Sequence, residues 1–517
     1  MTRARPAAHR RPSNGAGARS ATLGYAPPTL SIPPASIAPS RSHAPVAPLS
    51  SRLPRLRGAP GRAGPPPKPE RSALGHLMIL VWLQTRIVLS YVWVLIRARV
   101  YDLPYSPEEL SEIHRANARR FRDTACRLKG ANVKVGQIAS MQAHLLPREC
   151  IEELRTLRDA VTATDATRVF ALIEHELGHP VGELFESIEE EPIAAASMGQ
   201  VHRARLKSGH DVVVKVLHPG LERTVEIDLA IIRSTIRFFS LFLSGKFDLL
   251  LVIDEAQETL RKELDLVHEG EATEALALEL RPLGVVVPAV HWEFTSRRVL
   301  TLEFIEGVNI DDRAQMDAWN VDRQKLMERY LESFVQQALR GGYFHADPHP
   351  GNVFCTPDGR LALLDFGMVK RLPEHVRVGL LKEILGGFFA KPRLWADGMI
   401  LKGAVGEADR AKLEAFAEEA FQDPKARAMI FDHEVESHGE LRSMVGRFAD
   451  FFQGLETLKT PRDNVMFGRA LGIIIDVMKE VVPEKTPSEL AAPIMLPVLM
   501  EMVQKHPEYL EVAADVA

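Results

Sequence analysis

One stretch of the chain limits its possible folds more than any other, because two polar loops there enclose a short apolar run. It extends from Tyr343 to Met368 and reads YFHADPHPGNVFCTPDGRLALLDFGM. The apolar run LALL stops at Asp365, a pattern typical of a buried strand that delivers a polar side chain to its end. Asp347 and Asn352 belong to the preceding loop and lie five positions apart. Three polar side chains are thus concentrated around one short strand.

The patterns around Asp347 and Asp365 resemble the catalytic loop and the Asp-Phe-Gly motif of protein kinases, with His-Ala-Asp where typical kinases have His-Arg-Asp. In that chemistry an Asp positions the acceptor hydroxyl, an Asn five residues later binds one Mg²⁺, and the Asp of Asp-Phe-Gly holds metal against the phosphates. The resemblance implies that Asp347 is catalytic and that Asn352 and Asp365 bind Mg²⁺. The alternative is a turn-rich loop beside a core strand, but it does not explain why all three residues occur together.

The length and composition of the chain are compatible with two or more folded domains. It has 517 residues, of which 46% are hydrophobic and 26% charged, and a formal net charge of -4. That charge gives no indication of nucleic acid as a partner. The cysteines, Cys126, Cys150 and Cys355, form no CxxC pair, so we expect neither a disulfide framework nor a zinc site. The catalytic domain is therefore expected in a reducing compartment, either a bacterial cytoplasm or an organelle.

The N-terminal segment, residues 1–72, has a composition unlike the rest. Residues 1–69 contain no Asp or Glu, whereas Arg and Lys recur among many Pro, Ser, Ala and Gly residues. Such a segment cannot bury enough apolar surface to fold. It is interpreted as a disordered basic tail or an organelle-targeting segment, and attraction of the basic tail to a membrane is a third alternative.

An apolar segment follows and predicts a membrane-associated helix over residues 73–100. From Leu77 to Ile96 it is about as long as a bilayer span, and it carries two tryptophans and a tyrosine. Arg86 lies in its middle, and a charge at the centre of a span is costly. A transmembrane helix and an interfacial or protein-packed helix are therefore both compatible with the sequence.

Several further motifs, in the family's order, resemble the AarF/UbiB group of atypical kinases. The first is KVGQ, which includes Lys134 and Gln137 and is followed by LLPRE and LRTLRDA. It belongs to a helical extension predicted over residues 101–180, which should begin at Ser106 with a cap residue followed by proline and acids. The resemblance implies that Lys134 and Gln137 gate the nucleotide site. A Lys and a Gln on an ordinary amphipathic helix are the alternative.

The next motifs predict the smaller lobe of a kinase, residues 181–305. VHRARL and DVVVKVL read as two strands joined by a Lys-Ser-Gly-His turn, with Lys215 near the end of the hairpin. Lys215 then takes the place of the kinase lysine that contacts the α- and β-phosphates, unless it lies on the solvated face of an edge strand. The loop before the hairpin lacks the kinase G-x-G-x-x-G, and the resemblance implies that it is the family's own nucleotide loop. It extends from Ala194 to Gly199, and its expected nucleotide-binding residues are Ala194, Ala195, Ala196 and Ser197.

Acidic residues later in the predicted smaller lobe complete the expected nucleotide site. By resemblance, Glu269 is the ion-pair partner of Lys215, the role of the αC glutamate in kinases. Glu263 and Asp265 belong to a second family signature, which is expected beside KVGQ and takes part in gating. A solvated acidic helix face is the alternative.

A hinge between the lobes is predicted in VLTLEFIEGVNI, residues 299–310, which reads as a strand followed by a turn. The resemblance implies that adenine lies beside Glu303 and Phe304. A helix is predicted from about Asp322 to Arg340, because apolar residues recur on one face. The catalytic core of the larger lobe is expected over residues 306–375.

Two further features of typical protein kinases are missing. Ala346 replaces the arginine of His-Arg-Asp, and no Ala-Pro-Glu follows the Asp-Phe-Gly. The chain turns into helix soon after Met368, which leaves little room for an activation segment or a peptide-docking groove. A small-molecule or lipid-linked acceptor, or ATP hydrolysis, is therefore favoured over phosphorylation of protein side chains. Residues 376–517 are predicted to form a C-terminal helical region.

The expected architecture is an α+β, two-lobed protein-kinase-like fold with an N-terminal KVGQ helical extension and a C-terminal helical extension. The resemblance implies an atypical kinase or ATPase that binds ATP or ADP with Mg²⁺ and supports isoprenoid-quinone (ubiquinone-type) biosynthesis or lipid metabolism at a membrane. Its expected partners are the nucleotide, a membrane lipid or quinone precursor, and a membrane biosynthetic complex. A catalytically silent nucleotide-sensing scaffold and a genuine protein kinase are the alternatives.

Overall fold

The computed structural model describes most of the chain from residue 73 to residue 507. The predicted tail or targeting segment, residues 1–72, lies outside the described residues. Also outside are residues 102, 104, 142–145, 159–162, 241–256, 258–259, 262, 424–450, 453, 460, 506 and 508–517.

A helical extension precedes the first strand, as predicted. Its α-helices are α1 (Ala73–Arg99), α2 (Pro107–Leu128), α3 (Ala131–Met141), α4 (Arg148–Arg155) and α5 (Ala166–Leu177). α2 begins with a capping box, in which the Ser106 hydroxyl accepts from the Glu109 amide and the Glu109 carboxylate accepts from the Ser106 amide. Lys129 and Gly130, with φ of 61° and 58°, separate α2 from α3. The KVGQ motif therefore begins one turn into α3.

A five-stranded antiparallel sheet follows and contains the predicted hairpin. The elements of this lobe are α6 (Val181–Leu184), β1 (Phe185–Ile188), β2 (Ala194–Ala195), β3 (Gly199–Leu206), β4 (Asp211–Leu217), α7 (Leu221–Ser240), α8 (Leu266–Leu280) and β5 (Val299–Glu303). The strand order is β1-β3-β4-β5, with β2 paired to β3. Lys215 lies in β4, opposite Val201 of β3 and Leu300 of β5. It is therefore inside the sheet and not on an edge strand.

Apolar side chains cover both faces of this sheet. On one face, Val169 and Leu172 of α5 pack against Val212 and Val214, which alternate along β4. On the other face, α3, α7 and α8 pack around Leu300. α5 thus packs with the smaller lobe, although the sequence placed its residues in the KVGQ extension.

Short strands carry the Tyr343–Met368 stretch of the larger lobe. Its elements are β6 (Val308–Asn309), α9 (Arg313–Ala318), α10 (Arg323–Val335), β7 (Tyr343–His345), β8 (Val353–Cys355), β9 (Leu361–Leu363) and β10 (Val369–Arg371). The strands form a β6-β8-β9 sheet and a β7-β10 pair. Asp322 caps α10, and a π-helical turn at Gln336–Gly341 ends it, close to the predicted bounds. Gly342, with φ of 68°, then turns the chain into β7.

The C-terminal region is helical in its described parts. Its α-helices are α11 (Glu374–Phe388), α12 (Pro392–Leu401), α13 (Arg410–Gln422), α14 (Arg462–Val481) and α15 (Pro487–Lys505). The buried faces of α14 and α15 share one core with α10 and β7, where Phe334, Phe344, Phe467 and Leu499 meet. The fold is α+β and protein-kinase-like, with a sheet in the smaller lobe and mainly helices in the larger one, as predicted.

Candidate active site

A cluster of charged side chains joins β4, α8 and the Asp-Phe-Gly segment. The Lys215 ammonium donates to both carboxylate oxygens of Glu269, at 2.6 and 2.8 Å, and to Asp365 Oδ2 at 3.0 Å. The Gly367 amide donates to the other oxygen of Asp365 at 2.8 Å. A Cβ at Gly367 would lie 3.2 Å from that oxygen and 3.3 Å from the Glu269 carboxylate. Glycine at this position therefore avoids crowding the two carboxylates. The expected contact between Lys215 and Glu269 is present.

The three charges shift one another's pKa. Burial by itself lowers the pKa of Lys215, but the carboxylates of Asp365 and Glu269 outweigh it and raise that pKa above its usual value. Burial would raise the pKa of Asp365, but the Lys215 cation and the Gly367 amide outweigh it and lower the pKa to about 2. Burial raises the pKa of Glu269 to about 7, against the lowering effect of Lys215. Lys215 is therefore positive and Asp365 negative at neutral pH. The Glu269 carboxyl, in contrast, titrates close to neutral pH.

The β8–β9 hairpin brings Asn352 and Asp365 to the same end of a sheet. Asn352 directly precedes β8, and its carbonyl accepts from the Leu364 amide at 3.0 Å, just before Asp365. The side-chain nitrogen of Asn352 donates to the Asp347 carbonyl at 3.2 Å. Because this bond uses the nitrogen, the amide oxygen remains as a possible ligand for a cation.

The donor atoms at this end of the hairpin fit Mg²⁺ held together with a nucleotide. Mg²⁺ prefers oxygen ligands, keeps several waters, and is usually bound through one or two carboxylates plus substrate phosphates. The Asp365 side chain is 39% exposed, so a metal ion can reach its carboxylate. Within the described part of the chain, no group of three or more His, Cys, Asp or Glu side chains could hold a metal ion. An amide oxygen of Asn352 and a carboxylate of Asp365 would thus need phosphate oxygens to complete the site.

The loop that contains Asp347 is held by side chains from three elements. The Asp347 amide donates to His345 Nδ1 at 3.2 Å, and the buried Tyr330 hydroxyl of α10 donates to the Pro348 carbonyl. The Asp347 carboxylate accepts from Arg469 of α14, with Oδ1 and Nη2 2.7 Å apart. Sequence reasoning missed Arg469, because it lies 122 positions further along in a helix without a recognisable motif.

The alanine loop is anchored by residues behind it. Ala194–Ala195 and Ala196 are exposed, whereas Ser197 is buried. The Ala196 carbonyl lies 3.0 Å from His218 Nε2, and the Ser197 carbonyl accepts from the Gly130 amide at 2.9 Å. The start of α3 is thereby tied to the loop. That the loop contacts the nucleotide stays a prediction.

The KVGQ motif meets one of its expected partners directly. Lys134 forms an ion pair with Glu263, and both side chains are largely buried. Gln137 donates to the Leu157 carbonyl at 3.3 Å, and Asp265 caps α8 by accepting from the amide two residues later. The structure therefore brings Lys134 and Glu263 together, whereas Gln137 bonds the backbone of Leu157 and Asp265 bonds the start of α8 and the Arg297 guanidinium.

The predicted hinge residues use their amides within the lobe. The Glu303 amide donates to the Ala289 carbonyl at 2.9 Å, and the Phe304 amide donates to the Asp211 carbonyl at 3.0 Å. The Arg203 guanidinium lies over the Phe304 ring, 4.2 Å from its centroid. An adenine at this position would therefore have to use carbonyl oxygens or apolar surface, because both amides are occupied.

Comparison with known proteins places this arrangement in a family. The ABC1 atypical kinase-like domain matches residues 156–391, which include Lys215, Glu269 and Asp365. Uncharacterized protein MT0675 of Mycobacterium tuberculosis is 34% identical over 354 residues, which are 67% of this chain and 71% of that protein. The chain belongs to the ABC1 atypical kinase-like family. The resemblance to AarF/UbiB atypical kinases is thereby confirmed.

Other ABC1-family relatives are longer than the matched part of the chain. Protein ACTIVITY OF BC1 COMPLEX KINASE 8, chloroplastic, of Arabidopsis thaliana is 36% identical over 295 residues, which are 56% of this chain and 39% of that protein. The chain spans between 39% and 57% of the first curated relatives that it matches. A solved structure, the Rv3197–erythromycin complex from Mycobacterium tuberculosis, aligns with a TM-score of 0.46 and 23% identity, covering 73% of this chain and 95% of that one. Lys134 and Arg469 both lie outside the residues that match the ABC1 domain.

Proposed function

We propose that this ABC1-family chain is an atypical kinase or ATPase that binds ATP or ADP together with Mg²⁺. The observation that carries the proposal is the Lys215 ammonium, which bonds both Glu269 and Asp365. Kinases need a lysine oriented by a glutamate beside the metal-binding Asp. Stability alone gives little reason for such a cluster, because replacing buried ion pairs with apolar residues is often neutral or stabilising.

The proposed site residues then divide the roles of a kinase site. Lys215 contacts the phosphates and Glu269 orients it, while Asn352 and Asp365 hold Mg²⁺. Asp347 accepts the proton of the acceptor hydroxyl or positions a water. The metal, when bound, neutralises charge on the phosphates during transfer.

The segment after Asp-Phe-Gly favours a small or lipid-linked acceptor, of the kind used in isoprenoid-quinone (ubiquinone-type) metabolism, or water. Gly367 is followed almost at once by β10, which pairs with β7, and α11 begins at Glu374. In protein kinases an activation segment lies between the Asp-Phe-Gly and Ala-Pro-Glu motifs. The few residues present here offer little surface for a protein substrate.

The two faces of α1 support a membrane-bound location. One face packs on the domain, where the Tyr91 hydroxyl lies 2.7 Å from His114 Nδ1 and Asn117 donates to Ser90 at 2.7 Å. The opposite face exposes large apolar side chains. They include Leu74, Met78, Trp82, Leu89 and Trp93. α1 is long and apolar enough to cross a membrane by length and composition, but its polar contacts with α2 favour a helix that lies in the membrane interface.

The nucleotide proposal is tested by thermal unfolding of the full chain with Mg·ATP, Mg·ADP or Mg²⁺ alone. A ligand at about a hundred times its dissociation constant adds roughly 2.7 kcal/mol to the free energy of unfolding, which is readily measured. We expect a nucleotide-dependent shift for the wild type and for Asp358→Asn, a control in the β8–β9 turn, but none for Asp365→Asn. A folded wild type that shifts with neither nucleotide would overturn the proposal. A shift without ATP turnover, with membrane lipids present, would favour the silent scaffold.

A further inference from the structure

α14 brings a cation from the C-terminal region to the catalytic loop. Arg469 Nη2 donates to Asp347 Oδ1 at 2.7 Å, and the two side chains are 22% and 31% exposed. Ala346, the residue before the aspartate, carries no charge. Within the described part of the chain, Arg469 is the cation that pairs with Asp347.

Aromatic packing fixes the position of Arg469. Two residues earlier in α14, Phe467 stacks on Phe334 of α10, with ring centroids 5.4 Å apart, and meets Phe344 of β7 edge-on at 6.0 Å. Phe344 itself lies three residues before Asp347. The aromatic contacts and the ion pair therefore join the same two segments, and buried aromatic packing holds them more firmly than a partly exposed ion pair can.

We propose that Arg469 is a positioning residue for Asp347 and that α14 thereby completes the catalytic site. The inference rests on the proposed function, in which Asp347 binds the attacking group. A guanidinium bonded to one carboxylate oxygen restricts rotation of the aspartate side chain and leaves Oδ2 for the acceptor. Misplacement of a reacting group by about 1 Å can lower a rate by about a hundredfold.

Another ion pair provides a matched control. Arg340, at the end of α10, pairs with Glu501 of α15, and these side chains are 35% and 37% exposed. This pair also joins the larger lobe to a C-terminal helix, but it contacts none of the proposed site residues. If Arg469 served only to hold a C-terminal helix, loss of either arginine would have similar consequences.

The test is steady-state turnover of Mg·ATP by the full chain and by Arg469→Gln, Arg469→Lys and Arg340→Gln. We expect Arg469→Gln to lower kcat about 10- to 100-fold while KM for Mg·ATP stays within about twofold, because Arg469 contacts the base and none of the nucleotide ligands. Arg469→Lys should recover part of kcat, since it keeps the charge without the planar fork. Arg340→Gln should leave kcat unchanged. In an Asp347→Asn background, Arg469→Gln should cause no further loss.

Equal kcat values for Arg469→Gln and Arg340→Gln would overturn the proposal, as would an undiminished loss in the Asp347→Asn background. Failure of the proposed function appears separately, as a wild type that turns over no ATP. In that case, thermal unfolding of the single and double variants tests whether Arg469 restrains Asp347. Melting-temperature shifts of Arg469→Gln and Asp347→Asn that simply add in the double variant would overturn it. A melting-temperature shift of the double variant that is smaller than the sum of the two single shifts by about 1 to 3 °C would support the restraint on Asp347.

Discussion

The Lys215 ammonium separates two carboxylates that would otherwise repel each other, because it donates to both Glu269 and Asp365. Glu269 is only 7% exposed and has little access to water. The cation that neutralises the Glu269 carboxylate is therefore the Lys215 side chain. Removal of that cation should affect both stability and ligand binding.

Lys215→Met is expected to lower the free energy of unfolding by about 2 to 4 kcal/mol, somewhat less than a fully broken buried pair because Glu269 can take up a proton. It should also abolish the shift caused by Mg·nucleotide. Urea unfolding and thermal shift measure the two effects. Lys325→Met, which removes an exposed partner of Asp322, is the control and should cost less than about 1 kcal/mol. Similar losses in both variants would contradict the prediction.

Glu269 makes the stability of the folded protein depend on pH. Burial raises its pKa to about 7, whereas an unfolded glutamate titrates near about 4.3. The folded protein therefore binds more protons between these values, so this group's contribution to stability falls as pH rises from about 4.5 to about 7. Asp365 has the opposite effect, because its pKa in the folded protein is lowered to about 2. Its contribution to the free energy of unfolding is present at neutral pH and is lost as pH falls below about 4.

Glu269→Gln has no carboxyl group to titrate at this position. The free energy of unfolding of the wild type, relative to this variant, should therefore decrease from pH 5 to pH 7. Urea unfolding of both proteins at pH 5, 6 and 7 measures the difference. A difference that stays constant over this range would show that Glu269 does not titrate there.

At the level of elements, α11 and α12 cross with their backbones in contact. A Cβ at Gly398 would lie 2.5 Å from the Gly379 carbonyl oxygen and from the Glu383 amide nitrogen. Backbone atoms cannot move aside as a flexible side chain can. The helices would have to separate to admit even a methyl group.

Gly398→Ala should therefore destabilise the protein by about 1 to 3 kcal/mol, the usual cost of overpacking. Gly472→Ala in α14 is the control, because nothing lies within 4 Å of its added Cβ. It should instead stabilise the protein by up to about 1 kcal/mol through helix propensity. Thermal or urea unfolding compares the two, and a Gly398→Ala protein as stable as the wild type would disprove the close contact.

Elements with local signals were predictable from the sequence. The β3–β4 hairpin follows from alternating residues around a Lys-Ser-Gly-His turn, and the start of α2 follows from Ser106 and Glu109. The partner of α5 could not be predicted, since periodicity shows that a helix has an apolar face but not what covers it. The same limit applies to α1, whose packed and exposed faces only the structure distinguishes.

At the level of the whole molecule, the exposed face of α1 should decide membrane binding. Trp93→Glu places a charge on that face, where the tryptophan is 54% exposed, and should weaken binding to anionic phospholipid vesicles about tenfold or more. Leu278→Glu, at an apolar residue of α8 that is 75% exposed, is the control and should bind as the wild type does. Vesicle flotation measures both. Equal binding of the two variants would remove the support that α1 gives to a membrane location.

The candidate site shows where local prediction stops. Lys215, Glu269, Asn352 and Asp365 each lie in a short recognisable motif, so their assembly could be anticipated. Arg469 reaches the site because Phe467 packs in the core of the larger lobe, and no local pattern reports such long-range packing. Contacts that depend on the complete core are the part that sequence reasoning missed.

The contact between Arg469 and Asp347 also has a consequence for synthesis of the protein. The two residues are 122 positions apart, so at roughly 5 to 20 residues per second the ribosome adds Arg469 roughly 6 to 25 s after Asp347. If Arg469 restrains the base as proposed, a nascent chain carries all the proposed nucleotide and metal ligands before it carries the residue that positions the base. Full turnover would therefore begin only when α14 docks.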